Sequence, residues 1–234
     1  MARGQPSGRV GGQGMVGTLL ALSLAAPLLV LAAALATRSG AVSPDTGYDL
    51  LTMRVGWWLA IVGFVAALGA VVLALRNFRR LGLLALAAVV AGGGTLAVYV
   101  WHNGRQAAAP SEDISTDLVE IPGFGDLNDQ RGGPGPRAAA GVEACPGARP
   151  LMKQIAPGSA AWALEQAGFT VRGAGVARAD GVREGFWFGF DHDAVIRIRP
   201  GRTDIRVAAR DDRPHGGDAC RMASRISEAL RTSR

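Results

Sequence analysis

Charge is scarce in this chain: 19% of its 234 residues are Asp, Glu, Lys or Arg, against 49% hydrophobic residues and a mean hydropathy of +0.20. It is missing altogether from three long runs before residue 102, which excludes one soluble domain spread over the whole length. With no ionisable side chain inside those runs, there is no proton relay, ion site or charged substrate path from which to argue a pump or transporter. No G-x-S-x-G elbow occurs, and the Gly-rich stretches lack both the P-loop Lys and the strand-to-helix dinucleotide fingerprint. Only two cysteines are present, too far apart for a CxxC redox motif and without nearby His or Cys at zinc-ligand spacing. A nucleic-acid partner is excluded by where the positive charge sits. Residues 1–101 carry seven Arg against two Asp, whereas residues 102–234 are nearly balanced at a net +1, too little for an extended basic face.

The three runs are Met15 to Thr37, Val55 to Leu75 and Leu81 to Trp101, of 23, 21 and 21 residues. About 20 apolar residues in a helix cross a hydrocarbon core of about 30 Å, so each predicts a transmembrane helix and membrane lipid as a partner. Arg3 and Arg9 precede the first run, and Arg76, Arg79 and Arg80 crowd the five-residue link between the second and third. Basic loops stay in the cytoplasm, so both clusters are expected inside. The intervening loop balances Arg38 and Arg54 with Asp45 and Asp49, and Tyr48, Trp57, Trp58, Tyr99 and Trp101 fall at one predicted outer boundary. The expected topology is an inner-membrane protein with a cytoplasmic amino terminus and a periplasmic carboxy-terminal domain. Ala34-Leu35-Ala36 offers a signal-peptidase site, but the run before it exceeds the usual signal core, and a retained helix is expected. Gly63, Gly69 and Gly92 to Gly94 are expected to let helices of the same chain approach closely. Cys145 and Cys220 both fall in the outer half, where an oxidising compartment predicts a disulfide.

Residues 106–150 read as a flexible linker, rich in Gly, Pro, Ala and Arg from 131 onward. Within it an acidic segment, 111–124, could lie on the domain as an extended strap or form solvated turns. From residue 151 to 234 a small α+β domain is expected, with helices on one face of an antiparallel sheet. A helix capped by Ser159 and stopped at Gly168, strands at Phe169–Val171, Val182–Phe190, Ala194–Arg199 and Thr203–Ala209, and a helix over 218–231 are its predicted elements. A hairpin turn at Gly201-Arg202 pairs Arg197 with Arg206, and a loop at Asp191-His192-Asp193 pairs Trp187 with Arg197. The helix-facing side then carries Phe186, Phe188, Phe190, Ile196, Ile198, Ile205 and Val207. The opposite side carries Trp187, Arg197, Arg199, Asp204 and Arg206.

Asp113-Ile-Ser-Thr-Asp117, Phe186-Trp-Phe-Gly-Phe-Asp-His-Asp193, Val195-Ile-Arg-Ile198 and Asp204-Ile-Arg206 through Arg210 to Arg221 resemble the bacterial domain-of-unknown-function family 1499. The resemblance covers roughly residues 111–231 and implies a domain often carried behind amino-terminal membrane helices. Val207 and Ala209 stand where that family shows serines, and Asp218 where it shows Asn, so no serine chemistry carries over. The family label supplies no reaction.

Directly opposed arginines need an anion between them, so Trp187, Arg197, Arg206 and Arg210 are the candidate ligand-binding residues, for a carboxylate, phosphate or acidic peptide. The competing expectation is an internal network with Asp204, Asp211, Asp212 or the acidic strap. Asp191, His192, Asp193 and His215 could donate to a metal, but neighbours on a tight loop diverge, and neither metal nor cofactor is expected. The predicted function is a non-catalytic periplasmic module that binds another envelope protein or an anionic ligand. The alternative is a hydrolase or transferase using Asp191, Asp193 or His215.

Overall fold

A computed structural model describes residues 10–131 and 138–232, so Arg3, Arg9 and part of the predicted linker lie outside the described residues. Two compact units divide near residue 103. The first holds three helices long and apolar enough to cross a membrane: α1 (Val10–Arg38), α2 (Gly56–Leu75), led in by a π-helical segment at Asp45–Val55, and α3 (Phe78–Ala108). α1 and α3 contain their predicted runs and extend past them, because the flanking residues continue the same hydrogen-bond ladder, whereas α2 begins one residue after its run and ends with it. Small residues set the packing. A Cβ on Gly92 would lie 2.6 Å from the Gly63 carbonyl oxygen, and one on Gly63 would lie 3.2 Å from the Ser23 Cα, while Ser23 Oγ donates to that same carbonyl at 3.0 Å. These are the close approaches expected of helix glycines; Gly93 and Gly94 instead face open space. At one end Tyr99 donates to the Thr52 carbonyl at 2.7 Å and meets the Trp57 ring edge-on, and Tyr48 lies 2.9 Å from His102 Nε2.

The second unit is α+β. Its five-stranded antiparallel sheet has the order β1-β5-β4-β3-β2, from β1 (Asp113–Ser115), β2 (Thr170–Ala174), β3 (Arg178–Arg183), β4 (His192–Arg199) and β5 (Arg202–Ala209). Helices α4 (Pro157–Gln166) and α5 (Asp218–Thr232) cover one face and bury Ile114, Ile196, Ile198, Ile205 and Val207 among Leu164, Met222, Ile226 and Leu230. Alternation along β4 and β5 places these apolar residues on a single side, as the sequence predicts. Pro157, not Ser159, opens α4, since its fixed φ suits the first helical position. Gly168 ends it at φ +85° as expected. Cys145 and Cys220 form a disulfide with a Cα separation of 5.6 Å, tying the segment before α4 to α5. Closing 75 residues of chain is worth about 4 kcal/mol in the chain-entropy account.

Three expectations are corrected. The β4–β5 turn falls on Pro200-Gly201, with Gly201 at φ +75°, so Arg199 pairs with Arg202, Arg197 with Asp204, and Arg206 with Val195. Proline's fixed φ followed by a positive-φ glycine makes the tighter turn. The slip is two residues, so every side chain keeps its predicted face. Next, the expected strand over Val182–Phe190 stops at Arg183. Asp191 Oδ1 accepts the Gly185 N–H at 2.9 Å and Gly189 sits at φ +70°, which folds 184–191 into a loop and removes Phe186, Trp187, Phe188 and Phe190 from the sheet. Finally, the described part of the predicted linker is woven into the domain. Asp113–Ser115 is an edge strand on β5, and Ile114 bridges Ala140.

Candidate functional site

The sheet face away from the helices is closed by residues 116–131. Phe124 and Leu127, 2% and 3% exposed, pack on Val182, Val195 and Ala208, and the Arg131 and Arg206 guanidinium groups lie over the Phe124 ring at 4.4 and 4.5 Å. Arg178 and Arg206 donate to the Phe124 and Pro122 carbonyls and so fasten the segment at both sides. This is the strap anticipated as one of two readings of 111–124, and its acids meet the arginines. Arg206 forms a two-pronged pair with Asp113 at 2.9 and 2.6 Å. Arg197 and Arg199 share Asp117 at 2.8 and 2.9 Å, and both also reach the buried Asp204. Arg210 donates to Asp193 from two nitrogens at 2.8 to 3.2 Å, with Arg131 on the same carboxylate at 2.9 Å. The backbone N–H of Glu120, helped by Arg199 and the Val119 N–H and opposed by burial, holds the Asp117 carboxyl below its usual range.

Arg197, Arg206 and Arg210 therefore share the helix-free face but are neutralised by carboxylates of their own chain, Arg197 and Arg206 by the strap and Asp204 as the internal-network expectation has it, and Arg210 by Asp193, which that expectation did not include. Arg197 and Arg206 are diagonal neighbours, not directly opposed, because of the two-residue slip. Trp187 is not beside them. It sits half exposed in the 184–191 loop with its ring edge-on to Phe186 at 4.7 Å, and Arg178 takes the place opposite Arg197.

The four metal-donor candidates split across the sheet. Asp191 and Asp193 face Arg210, whereas His192 follows the phase of Ala194 and Ile196 onto the helix side. There it meets two residues brought from far along the chain, Glu112 and His215. The backbone N–H of Ala209 donates to the Glu112 carbonyl at 2.8 Å and Ala209 pairs with His192, so Glu112, Ala209 and His192 form one row across three strands. Ala209 is fully buried and small, and the two flanking side chains extend over it. His215, on the loop entering α5, closes the group with its Nδ1 3.2 Å from His192 Nε2. All three side chains are buried, and their donor atoms lie within 4.8 Å of one another.

Each member is oriented by a second contact. His192 Nδ1 lies 3.2 Å from the Phe190 carbonyl, and the Phe190 ring stacks on His215 at 4.5 Å. His215 Nε2 lies 2.7 Å from Asp211 Oδ1, close but without hydrogen-bond geometry. Glu112 receives the N–H groups of His215, Gly217 and Ala219 at 3.1, 2.7 and 3.1 Å, capping α5. Burial alone would push the Glu112 carboxyl up, but the nearby His192 ring and hydrogen bonds from the Ala219 and Gly217 N–H groups outweigh it and hold it below its usual value. Burial pushes His192 down, so its ring is neutral at neutral pH, with Glu112 only partly offsetting the shift. Glu112 also lines a cleft of about 470 Å³ with Pro110, Ser111, Asp212, Arg213 and Pro214.

The sequence reading passed over Glu112 and placed His192 in a turn. The available signal was the period-two phase: carrying β4 two residues toward its amino end puts His192 in step with Ile196, and Glu112 is likewise in step with Ile114. Compared with protein-family models, curated proteins and solved structures, the chain has no match to any of them.

Proposed function

We propose that the chain is a membrane-anchored protein of the bacterial envelope whose carboxy-terminal unit is a non-catalytic periplasmic binding module for another envelope protein. Three apolar helices support anchoring. The arginines of the link between α2 and α3, set against the acid-balanced loop before α2, support a periplasmic carboxy terminus, and a disulfide suits that compartment. The resemblance to family 1499 belongs to the same reading and adds no reaction to it. Membrane lipid is the first partner.

The observation that carries the binding reading is the Phe186–Trp187 pair. These are two large aromatic side chains, 59% and 49% exposed, on a loop whose base is pinned by the Asp191 to Gly185 hydrogen bond. Rigid, exposed aromatics give contact area at low entropic cost and are enriched where proteins meet. The arginines beneath the strap are engaged internally, which moves the candidate surface from the sheet face to this loop. The catalytic alternative offered Asp191, Asp193 or His215 as acid and base; the fold commits Asp193 to Arg131 and Arg210 and turns His215 to the other side of the sheet from Asp191, which disfavours that pairing.

A photo-crosslinking amino acid placed at Trp187 in intact membranes tests the reading, with Met152, 76% exposed, as the control position. A discrete protein adduct from position 187 and none from 152 is the expected result. No adduct at 187, or the same adducts at both positions, would remove the support for this surface.

A further inference from the structure

We propose that Glu112, His192 and His215 form a binding site for one divalent transition-metal ion of the zinc class. Donor spacing is the first reason. With ligand bonds of about 2.0 to 2.2 Å, two donors on one ion lie about 3.3 Å apart at the tetrahedral angle and no more than about 4.3 Å apart in any arrangement. His192 Nε2 is 3.2 Å from His215 Nδ1 and 4.0 Å from Glu112 Oε2, both inside that limit, and all three donors lie within 4.8 Å of one another, so a small inward shift of Glu112 or His215 brings the set onto one ion.

The second reason is which lone pairs remain. A carbonyl oxygen only accepts, so the Phe190 contact assigns a proton to His192 Nδ1 and leaves the Nε2 lone pair facing the cluster. Asp211 stands 2.7 Å from His215 Nε2, and a proton on that nitrogen, facing the carboxylate, leaves the Nδ1 lone pair facing the same point. Two imidazoles, each with its outer nitrogen held by a carbonyl or carboxylate and its inner nitrogen turned to a common centre, are arranged as metal-binding histidines are. Glu112 has about four acceptor positions, of which three backbone N–H groups take three, and the last, on Oε2, points toward His192.

Two imidazoles and one carboxylate suit zinc, copper, iron or nickel better than magnesium or calcium, which prefer all-oxygen shells. Glu112 also lines the cleft of about 470 Å³, so one member of the buried set borders a cavity. The site draws on none of the residues assigned to protein binding, so the two readings fail separately.

The test uses the full-length protein in detergent, stripped with a chelator and titrated with Co²⁺ and then Zn²⁺. One equivalent of Co²⁺ should produce a visible ligand-field spectrum that Zn²⁺ abolishes and Mg²⁺ does not. His192→Gln and Glu112→Gln should lose the spectrum; Gln at 112 keeps a carbonyl for the helix N–H groups, and circular dichroism on the metal-free variants shows that the fold persists. Asp211→Asn, which removes the carboxylate facing His215 Nε2 and keeps an amide oxygen to accept from Arg213, should weaken Zn²⁺ binding by about 10- to 100-fold. Glu165→Gln, an exposed position on α4, should leave binding unchanged. A folded wild-type protein that gives no Co²⁺ spectrum, or His192→Gln binding Co²⁺ as well as the wild type does, overturns the proposal.

Discussion

Asp117 is where the strap's acidity acts on single residues, since its one carboxylate receives Arg197, Arg199 and the N–H groups of Val119 and Glu120. Its carboxyl is held below the ordinary range, chiefly by the Glu120 N–H. A carboxylate with a depressed folded-state value contributes stability that is complete above its unfolded value, near about pH 4, and is lost as pH falls through the folded value. Asp117→Asn should therefore lower the melting temperature at neutral pH, and the gap to the wild type should narrow as pH falls below about 4. Thermal melts at several pH values check this; a gap that stays constant down to the acid limit would show that the carboxylate's charge is not what matters. The neighbouring Asp113–Arg206 pair matters through its burial. Both groups are largely buried, so removing one leaves an uncompensated charge.

At the scale of elements, residues 116–131 are the seal of the sheet's second face. Alternation puts Val182, Val195 and Ala208 on that face beside a row of arginines, a surface that would otherwise be partly apolar and open to water. Phe124 covers the apolar part while its ring supports two guanidinium groups, so one side chain serves both packing and ion-pair geometry. Phe124→Ala should destabilise the domain by about 3 to 5 kcal/mol, the usual range for a buried aromatic. It should also expose 116–131 to proteolysis before the rest of the domain unfolds. Denaturant titration and timed proteolysis of the full-length protein read both effects; if cleavage appears only with global unfolding, the strap is not a separate layer. A run rich in acids and hydroxyls between apolar residues suggested such a strap, but its seat could not be chosen without knowing that β1 joins the sheet edge at β5.

For the whole molecule, the topology expected from the Arg asymmetry predicts that alkaline phosphatase fused after Arg234 is active and a fluorescent protein fused there by the Sec route is dark. The opposite pattern would place the disulfide-closed domain in the cytoplasm. The sequence alone determined features carried by local composition and by pattern. Three uncharged runs dictated three long helices, since helix hydrogen bonding is satisfied within each segment. Alternation in 194–209 dictated which side chains enter the helix-covered core, and that held through a wrong turn because a slip of two leaves every face unchanged. Two cysteines confined to one half left one pairing. Only the tertiary structure decided what depends on contacts between distant segments. The aromatic run 186–190 has strand-like composition, yet the hydrogen bond between Gly185 and Asp191 closes it into a loop. Glu112 and His192 are 80 positions apart and come together only because β1 and β4 flank β5, with an alanine at the crossing small enough to let both side chains meet His215. No periodicity within either segment encodes that meeting, because it is set by strand order, which follows from how the whole core packs.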